Sequence, residues 1–271
     1  MKDKVIAVTG GASGIGAAIC EKFGSEGSKV AVLDFDAKGL AREEERLRSM
    51  GVDVLGVKCD VTSEKQCAAA IKSVIKRFGG VDILVNNAGI TQRSTFRHTA
   101  MEVYRRVMEV NFFGTLHCTK PALESLIKRK GIIIVTTSLA GFAPLYGRTG
   151  YSASKHALHG FFHSLRSEME HLGVHVMMLC PGFTATNLQS RALDGGGRLN
   201  TGDRATVGKE ATPESVADEV YRGALKRKRE LVLTPVGKFM YYFVLRFMPA
   251  WYERQMTKKI KPEFDRNEAA L

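Results

Sequence analysis

The sequence predicts an α/β fold, a doubly wound parallel sheet of about seven strands with helices on both faces. Three observations predict it. Short runs rich in valine and isoleucine recur, and most are apolar throughout, as in strands buried on both faces. Longer segments of helical character lie between them. Strand and helix alternate along the chain, which makes neighbouring strands parallel. At 271 residues, 44% hydrophobic and 25% charged, residues 1–271 have the size and make-up of one large globular domain. No repeat, linker or low-complexity tract divides them.

Taken in order, strand 5–9 is an unbroken apolar run, and a glycine turn opens helix 14–23 after it. Strand 30–34 closes on an acid and is followed by the charged helix 38–50. Strand 52–58 and helix 63–78 form the third unit. Strand 81–86 leads to a long helical stretch, 100–127. Strand 132–137 precedes helix 152–171, and strands 174–180 and 231–234 complete the set. Two stretches break the alternation. Residues 187–212 contain Gly195, Gly196 and Gly197 and little periodicity, so a mobile loop is expected there. Residues 236–261 form an aromatic, basic tail.

The formal net charge of +12 is concentrated in one region. Residues 222–261 carry eleven lysines and arginines, opposed only by Glu230 and Glu253, so the rest of the chain is close to neutral. That distribution argues against nucleic acid as a partner. Five cysteines with no Cys-x-x-Cys pair do not suit a secreted disulfide framework. Residues 1–10 are no signal peptide, because their apolar run is short and ends in glycines. A cytoplasmic protein is expected.

Thr9-Gly10-Gly11-Ala12-Ser13-Gly14-Ile15-Gly16 stands between the first strand and the first helix. Glycine lets the backbone turn tightly and approach a pyrophosphate at the helix N-terminus. Gly10, Ser13, Gly14, Ile15 and Gly16 are therefore candidate dinucleotide contacts. The missing Gly-Lys-Ser/Thr excludes a nucleoside-triphosphatase loop. Asp34 ends the second strand, where a carboxylate can accept from ribose hydroxyls and repel a 2′-phosphate. Neither Ser13 nor Phe35 is basic, so NAD is expected over NADP.

Tyr151-Ser-Ala-Ser-Lys155 sits at the start of a helix, with both side chains on one face. A tyrosine is a poor base at its ordinary pKa of about 10. A neighbouring ammonium stabilises the phenolate and favours proton exchange. Ser138 lies thirteen residues before Tyr151, just after a strand, at the sheet edge where such folds hold ligands. Its hydroxyl could hold a substrate oxygen beside the tyrosine.

With these pieces together, the chain resembles the short-chain dehydrogenase/reductase family, whose fold is Rossmann-like. The resemblance covers residues 1–190 and continues more loosely to about 234. It rests on residues 9–16, Asp60 and Val61, Asn86-Asn87-Ala88-Gly89, Asn111, Ser138, Tyr151, Lys155, and Pro181-Gly182 with Thr186. It implies that Asp60 and Val61 flank the adenine, and that Asn87, Ala88 and Gly89 line the cofactor groove. It implies that Lys155 also holds the nicotinamide ribose, and that Pro181, Gly182, Thr184 and Thr186 seat the nicotinamide. Asn111 would hold a water in a proton relay reaching Lys155. Read without the family, Asn111 is a mid-helix asparagine bonding back to the backbone. The implied reaction is hydride transfer between a secondary alcohol or ketone and the nicotinamide, with Tyr151 exchanging the proton and Ser138 polarising the oxygen.

Other features are read more plainly. His156, His159 and His163 share a helix, but no carboxylate completes a metal-binding pattern around them, so no metal is expected. Cys20, Cys59, Cys67, Cys118 and Cys180 fall in predicted elements, where free cysteine packs. The tail from Lys238 to Trp251 is too short an apolar run to span a bilayer, and Pro249 should end or kink any helix there. Its aromatics among lysines and arginines suit a membrane surface or a greasy entrance. A helix packed on the body or on another subunit is the plainer alternative, and an acidic carrier partner is a third. The loop and tail are expected to shape access for a hydrophobic substrate (steroid-, retinoid- or lipid-like). A 3-oxoacyl thioester is the alternative substrate, and a homo-oligomer, dimer or tetramer, is expected. A methyltransferase would leave Tyr151, Lys155 and Ser138 without a task, whereas a catalytically silent nucleotide-binding protein would retain the fold alone.

Overall fold

The computed structural model describes residues 1–200 and 210–269. Seven strands, β1 (Val5–Thr9), β2 (Lys29–Asp34), β3 (Val54–Lys58), β4 (Ile83–Asn86), β5 (Ile132–Thr136), β6 (His175–Cys180) and β7 (Glu230–Val232), form one sheet. Their order is β3-β2-β1-β4-β5-β6-β7, with every pairing parallel. The strand order reverses between β1 and β4. Chains leaving the two strands diverge to opposite faces there, which opens a crevice at their carboxyl ends.

The strand period of two divides the core. Val5 and Ala7 of β1 face one layer, packed with Ile71, Phe78, Leu126 and Phe162. Ile6 and Val8 face the other, packed with Ile19, Phe23, Leu47 and Tyr221. The helices are α1 (Gly14–Ser25), α2 (Ala37–Ser49), α3 (Glu64–Phe78), α4 (Met101–Met108), α5 (Gly114–Arg129) and α6 (Thr149–Glu170), followed by the short α7 (Asn187–Ser190) and α8 (Pro213–Leu225). Side-chain caps start three of them. Asp36 accepts from Lys38 N and Gly39 N, Ser63 from Gln66 N, and Thr212 from Ser215 N.

Three expectations change. The long helix 100–127 is broken by a π turn, Glu109–Phe113, that separates α4 from α5. Helix α8 was not anticipated, although Thr212-Pro213-Glu214 is a helix start and Val216, Ala217, Val220, Tyr221 and Ala224 are its buried stripe. Residues 191–200 are tied down rather than loose. Leu193 N donates to Thr91 O at 2.8 Å, Arg93 N donates to Leu193 O at 2.8 Å, and Ala192 and Leu193 are buried. Of the expected loop 187–212, residues 201–209 lie outside the described residues. As expected, the helical tail breaks at Pro249: α10 ends at Phe247, Met248 leaves the helical conformation, and Pro249 opens the next helix, where the first residue needs no N–H donor.

The tail is helical, as α9 (Pro235–Phe239), a π turn (Met240–Val244), α10 (Leu245–Phe247) and α11 (Pro249–Ala269). Val244, Tyr252, Ile260 and Phe264 are buried. Phe264 closes over Gly147, whose added Cβ would sit 2.0 Å from the ring, and Glu263 is buried beside Arg93. On the outer side Phe239, Phe243 and Phe247 are 59%, 48% and 65% exposed, and Trp251 is 48% exposed. Their one-turn spacing stacks them in a ladder, with ring centroids 5.5 and 5.0 Å apart.

Candidate active site

The crevice at the β1/β4 switch point begins with the glycine turn. Gly10 and Gly14 have φ of +62° and +56°, which side chains rarely adopt. A Cβ on Gly16 would sit 2.2 Å from Gly10 O, so this close packing of α1 on β1 needs glycine. Ser13 is extended, and its hydroxyl does not cap α1. The first N–H groups of α1 thus lack a side-chain cap, as a pyrophosphate site at a helix N-terminus requires.

Both oxygens of buried Asp34 are held by backbone. Oδ2 accepts from Ala12 N and Oδ1 from Asp36 N, each at 3.0 Å. A carboxylate has further lone pairs, enough to accept from ribose hydroxyls. Cys59 N donates to Asp34 O at 2.8 Å, which places Asp60 at the same sheet edge. Asp60 Oδ1 accepts from Thr62 N and Oγ1, and Val61 is buried against Gly114. These residues fit the adenosine half of a dinucleotide.

Asn87 joins the β4 edge to the glycine turn. Asn87 N and Ala88 N donate to Thr9 Oγ1, and Asn87 Nδ2 donates to Thr9 O and Gly10 O. A Cβ on Gly89 would lie 3.2 Å from Asn111 Oδ1 and 3.7 Å from Lys155 Nζ, so both groups stand beside that backbone. Residues 181–186 return over the crevice. Thr186 lies against Gly14, Thr184 Oγ1 donates to Gly182 O at 3.2 Å, and Pro181 is buried. The glycine turn, Asp34, Asp60, Asn87 and residues 181–186 therefore gather along one edge of the sheet.

Ser138 follows β5 in an extended conformation and accepts from Ala140 N, which starts a short 3-10 turn, Leu139–Gly141. Tyr151 enters in the first turn of α6 and is buried, with its hydroxyl beside the Ser138 side chain. Lys155 lies one turn further on, its Nζ 5.7 Å from the Tyr151 ring centroid and donating to Thr136 O at 2.8 Å. Burial pushes the Tyr151 hydroxyl above its ordinary pKa, opposed by the neighbouring Ser138 side chain and the Arg148 charge. Burial also lowers Lys155 to about 8.

Asn111 occupies the π turn and is fully buried. Its Oδ1 accepts from Ile90 N, and its Nδ2 donates to Ile90 O and Ser154 Oγ. Ser154 Oγ in turn donates to Tyr151 O at 2.8 Å. The side chain thus ties the β4 loop to α6 instead of bonding back into its own helix. An inserted π turn of this kind is a recurrent feature of functional sites.

Two neighbours carry no motif. Gln92 is buried and accepts from Tyr151 N through Oε1 at 2.8 Å, while its backbone carbonyl accepts from Arg148 Nη1. Nothing in its local sequence distinguishes it. The histidines also gain a partner from afar. His159, His163 and Glu230 of β7 bring their ligand atoms within 4.8 Å of one another, though Arg166 pairs with the same carboxylate at 2.9 Å.

The model of the short chain dehydrogenase family matches residues 4–195. The chain is 34% identical to dehydrogenase/reductase SDR family member 7B of Mus musculus, over 97% of this chain and 83% of that one. It is 31% identical to the Danio rerio protein of that name, over 99% and 89%, and 31% identical to family member 7 of Homo sapiens, over 93% and 76%. A short chain dehydrogenase/reductase from Burkholderia phymatum in complex with NAD superposes with TM-score 0.80 at 24% identity, covering 94% and 95%. An actinorhodin polyketide ketoreductase variant with NADPH superposes with TM-score 0.76 at 30% identity, covering 86% and 97%. A glycine turn at the switch point of a parallel sheet, a serine–tyrosine–lysine constellation at the same edge and these likenesses agree: the chain belongs to the short-chain dehydrogenase/reductase family of nicotinamide-dependent oxidoreductases.

Proposed function

We propose that this enzyme interconverts a secondary alcohol and a ketone, prefers NAD, and takes a hydrophobic substrate. The observation that carries the reaction is the placing of the Tyr151 hydroxyl, buried at the crevice, beside the Ser138 side chain with Lys155 alongside. A bound nicotinamide would supply the hydride acceptor or donor. Tyr151 Oη takes the alcohol proton in oxidation and returns it to the ketone oxygen in reduction. Ser138 Oγ donates to that oxygen. The Lys155 ammonium, anchored on Thr136 O, favours the tyrosinate and binds the nicotinamide ribose. Asn111 steadies the tyrosine through Ser154 and extends the proton path towards Lys155.

A screen of secondary alcohols, ketones, steroids, retinoids, acyl thioesters and sugars, followed by nicotinamide absorbance, tests this reading. Turnover is expected with an apolar secondary alcohol or ketone, and turnover restricted to sugars would refute it. Preference for a 3-oxoacyl thioester would favour the alternative with an acidic carrier, which draws support from the polyketide ketoreductase likeness and the basic cluster.

The NAD preference is supported by Asp34, whose carboxylate is held by Ala12 N and Asp36 N at the end of β2, where such folds bind the ribose. kcat/KM is expected to be higher with NAD than with NADP. Asp34→Ser should narrow that ratio by about tenfold, since losing one like-charge contact is worth on the order of 1.4 kcal/mol. Equal kcat/KM values for the wild type would contradict the assignment.

The tail supports docking on an anionic membrane surface. No helix among the described residues is long and apolar enough to cross a bilayer. The exposed ladder of Phe239, Phe243 and Phe247 stands instead beside the exposed cations Lys238, Arg246 and Arg254. Each nearby cation contributes about 1 kcal/mol at an anionic surface, and shallow aromatic insertion adds to it. Co-sedimentation with anionic vesicles is expected at low salt and should weaken at high salt. No co-sedimentation, together with a change of oligomeric state on truncation at 235, would make the tail an assembly element. The homo-oligomer reading rests on a separate face, where Phe113 and Phe161 are exposed on either side of Phe112. The enzyme would then act in the cytoplasm, free or at a membrane surface.

A further inference from the structure

Three buried cysteines from three elements meet beneath Asp60 and Val61. Cys59 follows β3, Cys67 lies in the first turn of α3, and Cys118 lies in α5. Each is at most 1% exposed. Their sulfurs lie within 4.8 Å of one another, with Cys59 and Cys67 3.8 Å apart. A disulfide requires about 2.05 Å between sulfurs. A pyramidal trivalent centre bonded to three sulfurs at about 2.3 Å, with about 100° between the bonds, holds them about 3.5 Å apart. The observed separations are somewhat wider, and a small inward rotation of the side chains would bring all three sulfurs onto one centre.

We propose that Cys59, Cys67 and Cys118 form a binding site for a trivalent thiophilic metalloid, of the chemical class of arsenic(III). The argument for valence is one of charge. Three thiolates leave two negative charges on a monovalent ion and one on a divalent ion, but none on a trivalent centre. The charged side chain acting on Cys59 is Asp60, itself an acid, so added negative charge finds no compensation there. An uncompensated charge in this core is costly, and a neutral adduct avoids that cost.

The reaction balances without an oxidant. Arsenous acid exchanges three As–O bonds for three As–S bonds, the three thiol protons leave with the three hydroxides as water, and no oxidation state changes. The adduct would tie the turn after β3 to both α3 and α5. Val61 already joins these parts, packing on Gly114 and accepting from His117 Nδ1 at 3.0 Å. Because the sulfurs are buried, loading should be slow and paced by local opening of the turn at residues 60–63.

Sodium arsenite is the probe, added to the full chain, with excess removed by gel filtration. The wild type and Cys20→Ala, which leaves the three thiols intact, should each retain one arsenic and melt at a higher temperature. Cys67→Ala and Cys118→Ala should bind at least about tenfold more weakly, because only two sulfurs remain. X-ray absorption of the loaded wild type should show three sulfur neighbours around arsenic. No retained arsenic in the wild type, unchanged affinity in either folded variant, or two or fewer sulfur neighbours would overturn the proposal. The absorption measurement uses the wild type alone, so it decides the matter even if a variant fails to fold.

Discussion

Tyr151→Phe is expected to lower kcat by about 10²-fold or more while leaving the fold and cofactor affinity intact. The substitution keeps the ring, which is buried at the start of α6, and removes one oxygen. That oxygen lies beside the Ser138 side chain, and it is the proposed proton donor and acceptor. Without it a water must exchange the proton, in a crevice where the tyrosine itself is largely shielded from solvent. The measurement is single-turnover and steady-state kinetics with a verified substrate, with circular dichroism as the fold control. A variant that turns over like the wild type would remove Tyr151 from the mechanism.

Lys155→Met should lower turnover by a similar order and weaken cofactor binding as well, because the ammonium has two proposed tasks. The readout is therefore a fall in kcat together with a rise in the cofactor Kd, whereas Tyr151→Phe should affect kcat alone. A stability measurement examines the burial separately. Burial holds Lys155 at about 8 in the folded protein, and the unfolded chain keeps the ordinary value of about 10.5. Between those values the unfolded chain binds the extra proton, so stability of the cofactor-free enzyme should rise with pH across that window. Below about pH 8 the buried ammonium is charged in both states and the gain is absent. Urea titrations from pH 7 to 10 should show the rise in the wild type and a flatter profile in Lys155→Met. Identical profiles would mean that the lysine is better solvated than its surroundings indicate.

Much of the site was legible before folding because it is written in contiguous residues. A glycine turn, an acid at a strand end and Tyr151 one helical turn from Lys155 are local patterns, and local geometry positions them. The strands were legible for a related reason, since a strand buried on both faces must be apolar throughout. The β7 boundary was placed less well. Only three residues of that strand pair, and its neighbourhood is set by α8 and the tail.

From the sequence by itself come the parallel sheet, the dinucleotide turn and the serine–tyrosine–lysine constellation, each specified by short-range spacing. The tertiary structure alone decided which distant groups complete them. Asn111 bonds across to Ile90 and Ser154 because a π turn shifts it out of its own helix. Gln92 holds Tyr151 N from fifty-nine residues away, Glu230 reaches the histidines from β7, and three cysteines converge from three elements. The tail divides into a buried side, closed by Tyr252 and Phe264, and an outer ladder of phenylalanines, a split that composition does not reveal. In each case the partners are far apart in the chain, and only the packing of helices on the sheet brings them within a few ångströms.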